Sequence, residues 1–312
     1  MSAATINMAG ISRCIVFSSI GGVFDVNDSN DGPLAALSKT SCGQPARSLL
    51  VSWNARALYL GPAMHLAAHR NAVGVLAIGL DGQLGVALDP ADPGRGFSDC
   101  RTALIAPNQL HLLAMAGGQY AFLYVDALSD DLKTLQGRCR RRVGTVGFDL
   151  DNEDALIALL AGMDRSAEGW RATSERLAAV LSLAPSCTDA RIRKVADALL
   201  ASPSDATNAA EHARRVGLSS SRFQHLFKAQ TGVSLRRYRL WARLQATMSG
   251  VMDGMTLTHA AHAAGFSSSA HLSAAFKAMF GLPLTALLSG GMQFVRTNLP
   301  DAEKGSEKSA SS

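Results

Sequence analysis

The chain of 312 residues is long enough for two domains, at roughly 100–200 residues per domain. Hydrophobic residues make up 47% and charged residues 18%, which is typical of a globular protein with a sizeable core and argues against a disordered or fibrous chain. The formal net charge of +5 is compatible with a nucleic-acid partner, and the lack of a long uninterrupted apolar stretch excludes an obvious membrane-spanning helix.

The cysteines are odd in number and widely spaced, and they form no C-x-x-C pair; they are Cys14, Cys42, Cys100, Cys139 and Cys187. This pattern argues against a disulfide framework or a zinc ribbon and favours reduced thiols. The short apolar run from Ile15 to Phe24 lacks a basic start and a clear cleavage site, so it does not indicate a signal peptide. We therefore expect a cytoplasmic protein.

The first half of the chain has short apolar runs separated by glycine- and proline-rich turns. The runs are Ala57–Leu60, Val73–Leu80, Gly85–Leu88, Ala103–Ile105 and Tyr120–Val125. Short runs with tight turns between them are typical of strands in a small β-sandwich or barrel. Residues 1–45 contain a polar loop but give no firm placement.

Helical spacing of apolar residues begins near Asp149, with one helix marked by Leu156 and Leu160 and another by Trp170 and Leu177. The fold class is therefore α+β. The predicted divisions are a sensor or dimerisation domain over 1–148, dimerisation or linker helices over 149–185, an all-α domain over 186–292, and a disordered tail over 293–312. Two amphipathic helices need an apolar partner surface, so we expect a homodimer formed through residues before Pro185.

An internal repeat lies in the all-α region. Gly217 to Gly232 resembles Gly265 to Gly281, and Phe227-Lys228-Ala229 recurs as Phe276-Lys277-Ala278. Each copy has the signals of a helix, a glycine turn and a second helix with one apolar and one polar face. A recognition helix needs this combination, because it packs on its own domain and offers hydrogen-bonding groups to base edges.

Predicted helix-capping residues support the helix-turn-helix interpretation of each copy. In the first copy Asn208 with Glu211 and then Ser219 are predicted caps, and in the second copy Thr256 is one. Between the copies, four arginines crowd one predicted linker helix: Arg236, Arg237, Arg239 and Arg243. They are candidates either for phosphate contacts or for solvated positions.

An ordered set of residues spans both copies: Gly217-Leu218-Ser219, Phe227-Lys228, Thr231-Gly232, Tyr238, Arg243, Ala261, Gly265-Phe266, Phe276-Lys277, Phe280-Gly281 and Pro283. With these residues, the segment from about Thr188 to Leu288 resembles the DNA-binding domain of AraC/XylS-family regulators. The resemblance implies two helix-turn-helix units that enter successive major-groove segments of double-stranded DNA. The chain departs from the family at His212, where leucine is usual, and at Ala260, where isoleucine is usual.

The polar faces and the resemblance together predict the DNA contacts. The predicted base-contacting residues are Ser220, Ser221, Gln224, His225, Ser269, Ala270 and Ser273. The predicted phosphate-contacting residues are Arg222, Lys228, Arg236, Arg237, Arg239, Arg243 and Lys277. The second unit offers only short side chains, so we expect the first unit to carry most of the specificity.

The stretch from Trp53 to Val125 is similar, more loosely, to the cupin-like sensor domains of some such regulators, which implies a small effector or dimerisation. The candidate pocket residues are Trp53, Tyr59, His65, His69, His111 and Tyr124. Metal-binding cupins usually use H-x-H with a nearby glutamate, whereas this chain has no glutamate before Glu153. We therefore expect no metal and no cofactor.

The sequence favours a sequence-specific transcription regulator that binds DNA, with RNA polymerase as a further possible partner. A cupin-type metal-dependent enzyme fused to a DNA-binding domain is the main alternative, although no catalytic set stands out. An architectural DNA-binding protein without sequence preference is a third possibility. The effector, the target promoters and the sign of regulation stay open.

Overall fold

A computed structural model describes residues 48–53, 55–90, 96–125, 127–183, 188–288 and 292–297. The interpretations made for residues 1–45, for Cys14, Cys42 and Cys187, and for the chain break at Pro185 lie outside these residues.

Two β-sheets form the N-terminal domain. Their strands are β1 (Leu49–Trp53), β2 (Arg56–Pro62), β3 (Val75–Gly79), β4 (Leu84–Ala87), β5 (Ser98–Cys100), β6 (Thr102–Ile105), β7 (Leu112–Met115), β8 (Gln119–Tyr124), β9 (Cys139–Val143), β10 (Val146–Leu150) and β11 (Gln293–Thr297). The larger sheet has the order β11-β1-β2-β8-β3-β6-β10-β9, and the smaller one has the order β5-β4-β7. The expected sheet-rich N-terminal domain is confirmed, and each of the five predicted strand regions forms a strand.

Side chains alternate between the two faces of the larger sheet, as the period of a β-strand requires. On β2, Leu58 and Leu60 join one buried cluster, whereas Tyr59 joins another. The second cluster lies between the two sheets and includes Val86 of the smaller sheet and Phe122 of the larger one. Both faces of the larger sheet are therefore buried.

Two helices cover the first face: α2 (Glu153–Ala161) and α3 (Ala167–Leu181), while a short helix α1 (Asp131–Gly137) precedes β9. Trp170 of α3 is fully buried, and its ring centroid lies 4.7 Å from that of Trp53 on β1. The apolar faces of α2 and α3 thus pack on the chain's own sheet. The amphipathic pattern of these helices is explained without a second chain, and the homodimer stays a prediction.

The remaining helices form the all-α domain. They are α4 (Ala190–Ala201), α5 (Ala209–Arg215), α6 (Ser220–Thr231), α7 (Leu235–Met252), α8 (Leu257–Ala263), α9 (Ser269–Phe280) and α10 (Leu284–Leu288). Two clusters form its core, one around Phe223 and Phe227 and the other around Phe266 and Phe276. No helix among the described residues is long and apolar enough to cross a membrane.

The expectation of disorder from residue 293 is wrong for residues 293–297. Strand β11 returns to the N-terminal domain and pairs in parallel with β1, with Leu49 opposite Gln293 and Val51 opposite Val295. Strand β1 would otherwise be the edge of the sheet, with unpaired backbone groups, and the buried Val295 side chain adds an apolar contact. Residues 298–312 lie outside the described part.

We expect Trp170→Ala to lower the free energy of unfolding by about 3–5 kcal/mol, because a large aromatic side chain between helix and sheet leaves a cavity. Chemical denaturation followed by circular dichroism measures the change. The control is Arg176→Ala on the exposed side of the same helix, which should change stability little. Equal effects of the two substitutions would show that α3 does not pack on the sheet in this way.

Candidate nucleic-acid interface

The first helix-turn-helix unit consists of α5, a glycine turn and α6. The Asn208 side chain accepts a hydrogen bond from the Glu211 backbone amide at 2.9 Å, and the Ser219 hydroxyl accepts one from the Arg222 amide at 3.3 Å. Gly217 adopts φ +69°, a conformation that a residue with a Cβ atom rarely takes. The Asn208 and Ser219 caps and the turn are therefore confirmed, and they fix where α6 begins. The reciprocal bond expected from Glu211 is not made, because its carboxylate pairs with Arg214 and Arg215.

The polar face of α6 is accessible. Ser221, Gln224 and His225 are exposed, and Ser220 at the first position of the helix is partly exposed. Phe223 and Phe227, on the opposite face, are fully buried and hold the helix on its domain. The Gln224 amide donates to the Ser220 hydroxyl at 3.2 Å, so these two side chains lie side by side on the outer face of α6.

The second unit has the same construction with shorter outer side chains. Thr256 caps α8, Gly265 adopts φ +91° in the turn, and Leu272 and Phe276 bury the inner face of α9. Outside the core, Ala270, Ser273, Ala274 and Lys277 are exposed and Ser269 is partly exposed. Two similar frames thus present chemically different faces.

The two departures from the family pattern both occupy core positions. Ala260 is buried, and its Cβ lies close to Gly250 of α7, where a Cβ added to the glycine would come within 3.0 Å. His212 is also buried, and its ring stacks on Phe223 with centroids 6.4 Å apart. Burial lowers the pKa of His212, and the nearby guanidinium groups of Arg239 and Arg215 lower it further.

Three of the four linker arginines donate hydrogen bonds to backbone carbonyls of their own chain. Arg237 bonds to the carbonyl of Arg70 in the N-terminal domain, Arg239 to Thr207, and Arg243 to Pro203 at 3.0 Å. The other members of the predicted phosphate-contacting set are exposed: Arg222, Lys228, Arg236 and Lys277. Among the linker arginines, Arg236 is therefore the residue most available to DNA.

The six candidate effector residues do not form one site. Tyr59 and Tyr124 line a cavity of about 540 Å³ between the larger sheet and the all-α domain. Trp53 lies on the opposite face of the sheet against Trp170, and His65 is exposed. Adjacent residues of a β-strand point to opposite faces of the sheet. The short apolar runs in the sequence do not show which face packs on the helices and which one lines the cavity.

His69 and His111 form a separate buried pair with ring centroids 4.3 Å apart. His69 Nδ1 lies 2.9 Å from the carbonyl of Ala67, and burial lowers the pKa of both histidines, that of His111 to about 3. The chain brings them together by a pair of backbone hydrogen bonds between the two residues. In the part of the chain that the structure describes, no group of three or more His, Cys, Asp or Glu side chains is arranged to hold a metal ion.

Sequence reasoning missed the other wall of the cavity. That wall comes from α7, α8 and α9, and it includes Trp241, Gln245 and Phe280. These residues have helical spacing and were interpreted only as parts of the DNA-binding domain. Contact between two domains leaves no periodic signal in either of them, so the pattern alone did not indicate it.

Comparison with known proteins places the all-α domain in a class. Residues 212–289 match the family model described as "Helix-turn-helix domain". No curated protein sequence matches this chain.

The chain is similar in structure to several solved proteins. An apo form of ToxT from Vibrio cholerae shares 12% identity, with 76% of this chain and 98% of that chain covered and a TM-score of 0.49. Wild-type ToxT from Vibrio cholerae with a bound unsaturated fatty acid shares 11%, with coverage of 75% and 95% and a TM-score of 0.48. The AraC-like transcriptional activator CuxR shares 14%, with coverage of 67% and 78% and a TM-score of 0.25.

The matched family model and the two capped helix-turn-helix units define a DNA-binding protein. More particularly, residues 212–289 form a helix-turn-helix domain, and this domain contains both units.

The buried His212 predicts a pH-dependent first unit. Because its folded-state pKa lies below its ordinary value, its contribution to stability is present above that value and is lost as the pH falls below it. We expect His212→Leu to reduce the loss of thermal stability between about pH 7.5 and pH 5.5. His262→Leu, at an exposed position of α8, is the control. An unchanged pH dependence in His212→Leu would contradict this role.

Proposed function

We propose that the chain is a sequence-specific regulator whose first helix-turn-helix unit supplies most of the base discrimination. The exposed Gln224 and His225 carry this proposal. A glutamine amide can pair with the N6 and N7 positions of adenine, and an imidazole can donate to guanine in the major groove. Both side chains lie on the outer face of a capped helix whose inner face is buried.

The second unit has the weaker capacity for base contacts. Ser269, Ala270 and Ser273 present hydroxyl and methyl groups without the reach for a bidentate contact. The exposed Lys277 and the backbone amides at the start of α9 suit phosphate oxygens instead. In this proposal the second unit mainly positions the protein on the DNA backbone.

The remaining partners follow from regulation of transcription. We propose that a small effector acts through the N-terminal domain and that the chain functions in the cytoplasm. A homodimer and RNA polymerase take part in the proposed complex. Two tethered DNA-binding domains gain effective concentration over one, which supports the homodimer.

Regulation without catalysis is the function that the described residues support best. His65, His69 and His111, three of the candidate effector residues, do not come together in one site: His69 contacts His111, while His65 is exposed elsewhere. Metal analysis of the purified protein separates the enzyme from the regulator, and competition by unrelated DNA separates the architectural protein from it.

The first test is selection of binding sites from randomised DNA. We expect Gln224→Ala to cost on the order of 1–3 kcal/mol on the preferred site and to relax preference at one base position. Ser273→Ala, at the corresponding outer face of the second unit, should leave the selected sequence unchanged.

Arg236→Ala serves as the backbone control in the same experiment. It should weaken binding to all sequences about equally and reduce the dependence of affinity on salt, because one phosphate contact is lost. If Gln224→Ala leaves the selected sequence unchanged while Ser273→Ala alters it, the roles of the two units are reversed.

The second test concerns assembly. Light scattering of the full chain at high micromolar concentration should give about twice the chain mass of 32.7 kDa. The same measurement on Trp170→Ala checks whether assembly depends on the packing of α3. A strictly monomeric mass with intact DNA binding would rule out the homodimer and leave the DNA-binding proposal standing.

A further inference from the structure

The cavity at the junction of the two domains is built from both of them. Strands β1, β2 and β8 contribute Ser52, Ala57 and Tyr124, and helix α7 contributes Trp241 and Gln245 on the opposite side. Its volume of about 540 Å³ falls within the range of pockets that hold small organic molecules. A molecule bound there would contact the sheet and the linker helix at once.

Aromatic rings dominate the junction. The Tyr124 ring lies 6.0 Å from the Trp241 ring and 5.6 Å from the Phe280 ring, measured between centroids, and the latter pair meets edge to face. Met64 from the N-terminal side and Met248 from α7 add flexible apolar surface. Such walls favour an apolar ligand and adapt to its shape.

The charges on the cavity wall are already paired. Arg296 and Asp253 are the charged residues that line it, and Arg296 Nη1 lies 3.2 Å from Asp253 Oδ2 while also donating to the Ser249 hydroxyl. This pair is about half exposed to solvent, and the other described lining residues are uncharged, so an ionised ligand group elsewhere in the cavity would lose water without meeting a counter-charge. Burying an unpaired charge is costly, so the wall disfavours ionised ligands.

A few neutral polar groups remain available. Among the described residues, no side chain or backbone group forms a hydrogen bond with the Gln245 amide or with the Ser52 hydroxyl, although both line the cavity. Gln245 lies on α7 and Ser52 on β1, so the two groups belong to different domains. They can orient a ligand that carries one or two hydroxyl, carbonyl or amide groups.

We propose that this cavity is the effector site of the regulator and that its ligand is an uncharged, largely apolar molecule with one or two hydrogen-bonding groups. This inference rests on the proposed function, because only a regulator needs such an effector. One wall belongs to the sensor domain and the other to the helix that joins the DNA-binding units. Ligand occupancy therefore changes the free energy of their packing and, with it, DNA binding.

Two fluorescent probes with the same ring skeleton test the site. N-phenyl-1-naphthylamine is uncharged, and 8-anilinonaphthalene-1-sulfonate adds one negative charge. We expect the uncharged probe to bind the full chain with a micromolar Kd and the sulfonate to bind at least about tenfold more weakly, because its charge has no free partner.

Matched substitutions locate the binding. Ala57→Phe fills the cavity from β2 and should weaken the uncharged probe at least about tenfold, whereas Ala172→Phe, on the exposed side of α3, should leave it unchanged. Gln245→Phe fills the cavity from α7 and repeats the test if Ala57→Phe does not fold, as judged by circular dichroism. Equal binding to the folded filled variants would overturn the site.

Two further outcomes test the charge of the ligand and its effect on DNA binding. Tighter binding of the sulfonate that disappears in Arg296→Ala would overturn the uncharged ligand in favour of an organic anion. Saturating uncharged probe should change the Kd for a selected DNA site at least about threefold, and an unchanged Kd would overturn the effector role. Wild-type DNA binding without probe is measured first, so a failure of the proposed function is recognised separately.

Discussion

Double burial of the larger sheet is the constraint on which the rest of the structure depends. Its first face packs against α2 and α3, and its second face packs partly against the smaller sheet and partly against the DNA-binding domain. Because side chains alternate with a period of two, a shift of one residue in register would exchange the partners of both faces. Val51 and Leu58 face the helices, while Tyr59 and Phe122 stack at 6.0 Å on the other side. The N-terminal domain and its contact with the DNA-binding domain are thus specified by the same strands.

The DNA-binding domain was the part most open to prediction, for local reasons. Asn208, Ser219 and Thr256 act on amides three residues away, and Gly217 and Gly265 take conformations that their residue type favours. Each capping or turn residue lies within one helical turn of the helix end that it determines, and the internal repeat contains such residues in both copies. The exposed face of α6 then follows from the buried positions of Phe223 and Phe227.

Features that depend on distant parts of the chain escaped prediction. Strand β11 pairs with β1, which lies more than 240 residues earlier in the chain. The short, polar-flanked sequence around Val295 does not indicate this pairing. Trp53 and Tyr59 were grouped as pocket residues because both are aromatic, yet they lie on opposite faces of the sheet. The loop positions of His65 and His69 gave no indication of which one would meet His111. In each case the deciding contact is made by tertiary packing and not by local propensity.

The linker arginines fix the position of helix α7 within the protein, and three of them are therefore occupied by internal hydrogen bonds. Helix α7 has 18 residues and so spans about 27 Å, and one helix-turn-helix unit is connected to each of its ends. Two recognition helices can enter successive turns of the major groove only if their separation stays near one turn of DNA, about 34 Å. Arg239 and Arg243 bond to carbonyls beside the first unit, and Arg237 bonds to a carbonyl of the N-terminal domain. These bonds restrain the spacing and orientation of both units. In the proposed function, attraction to DNA then depends on the exposed cations around them, such as Arg236 and Lys228.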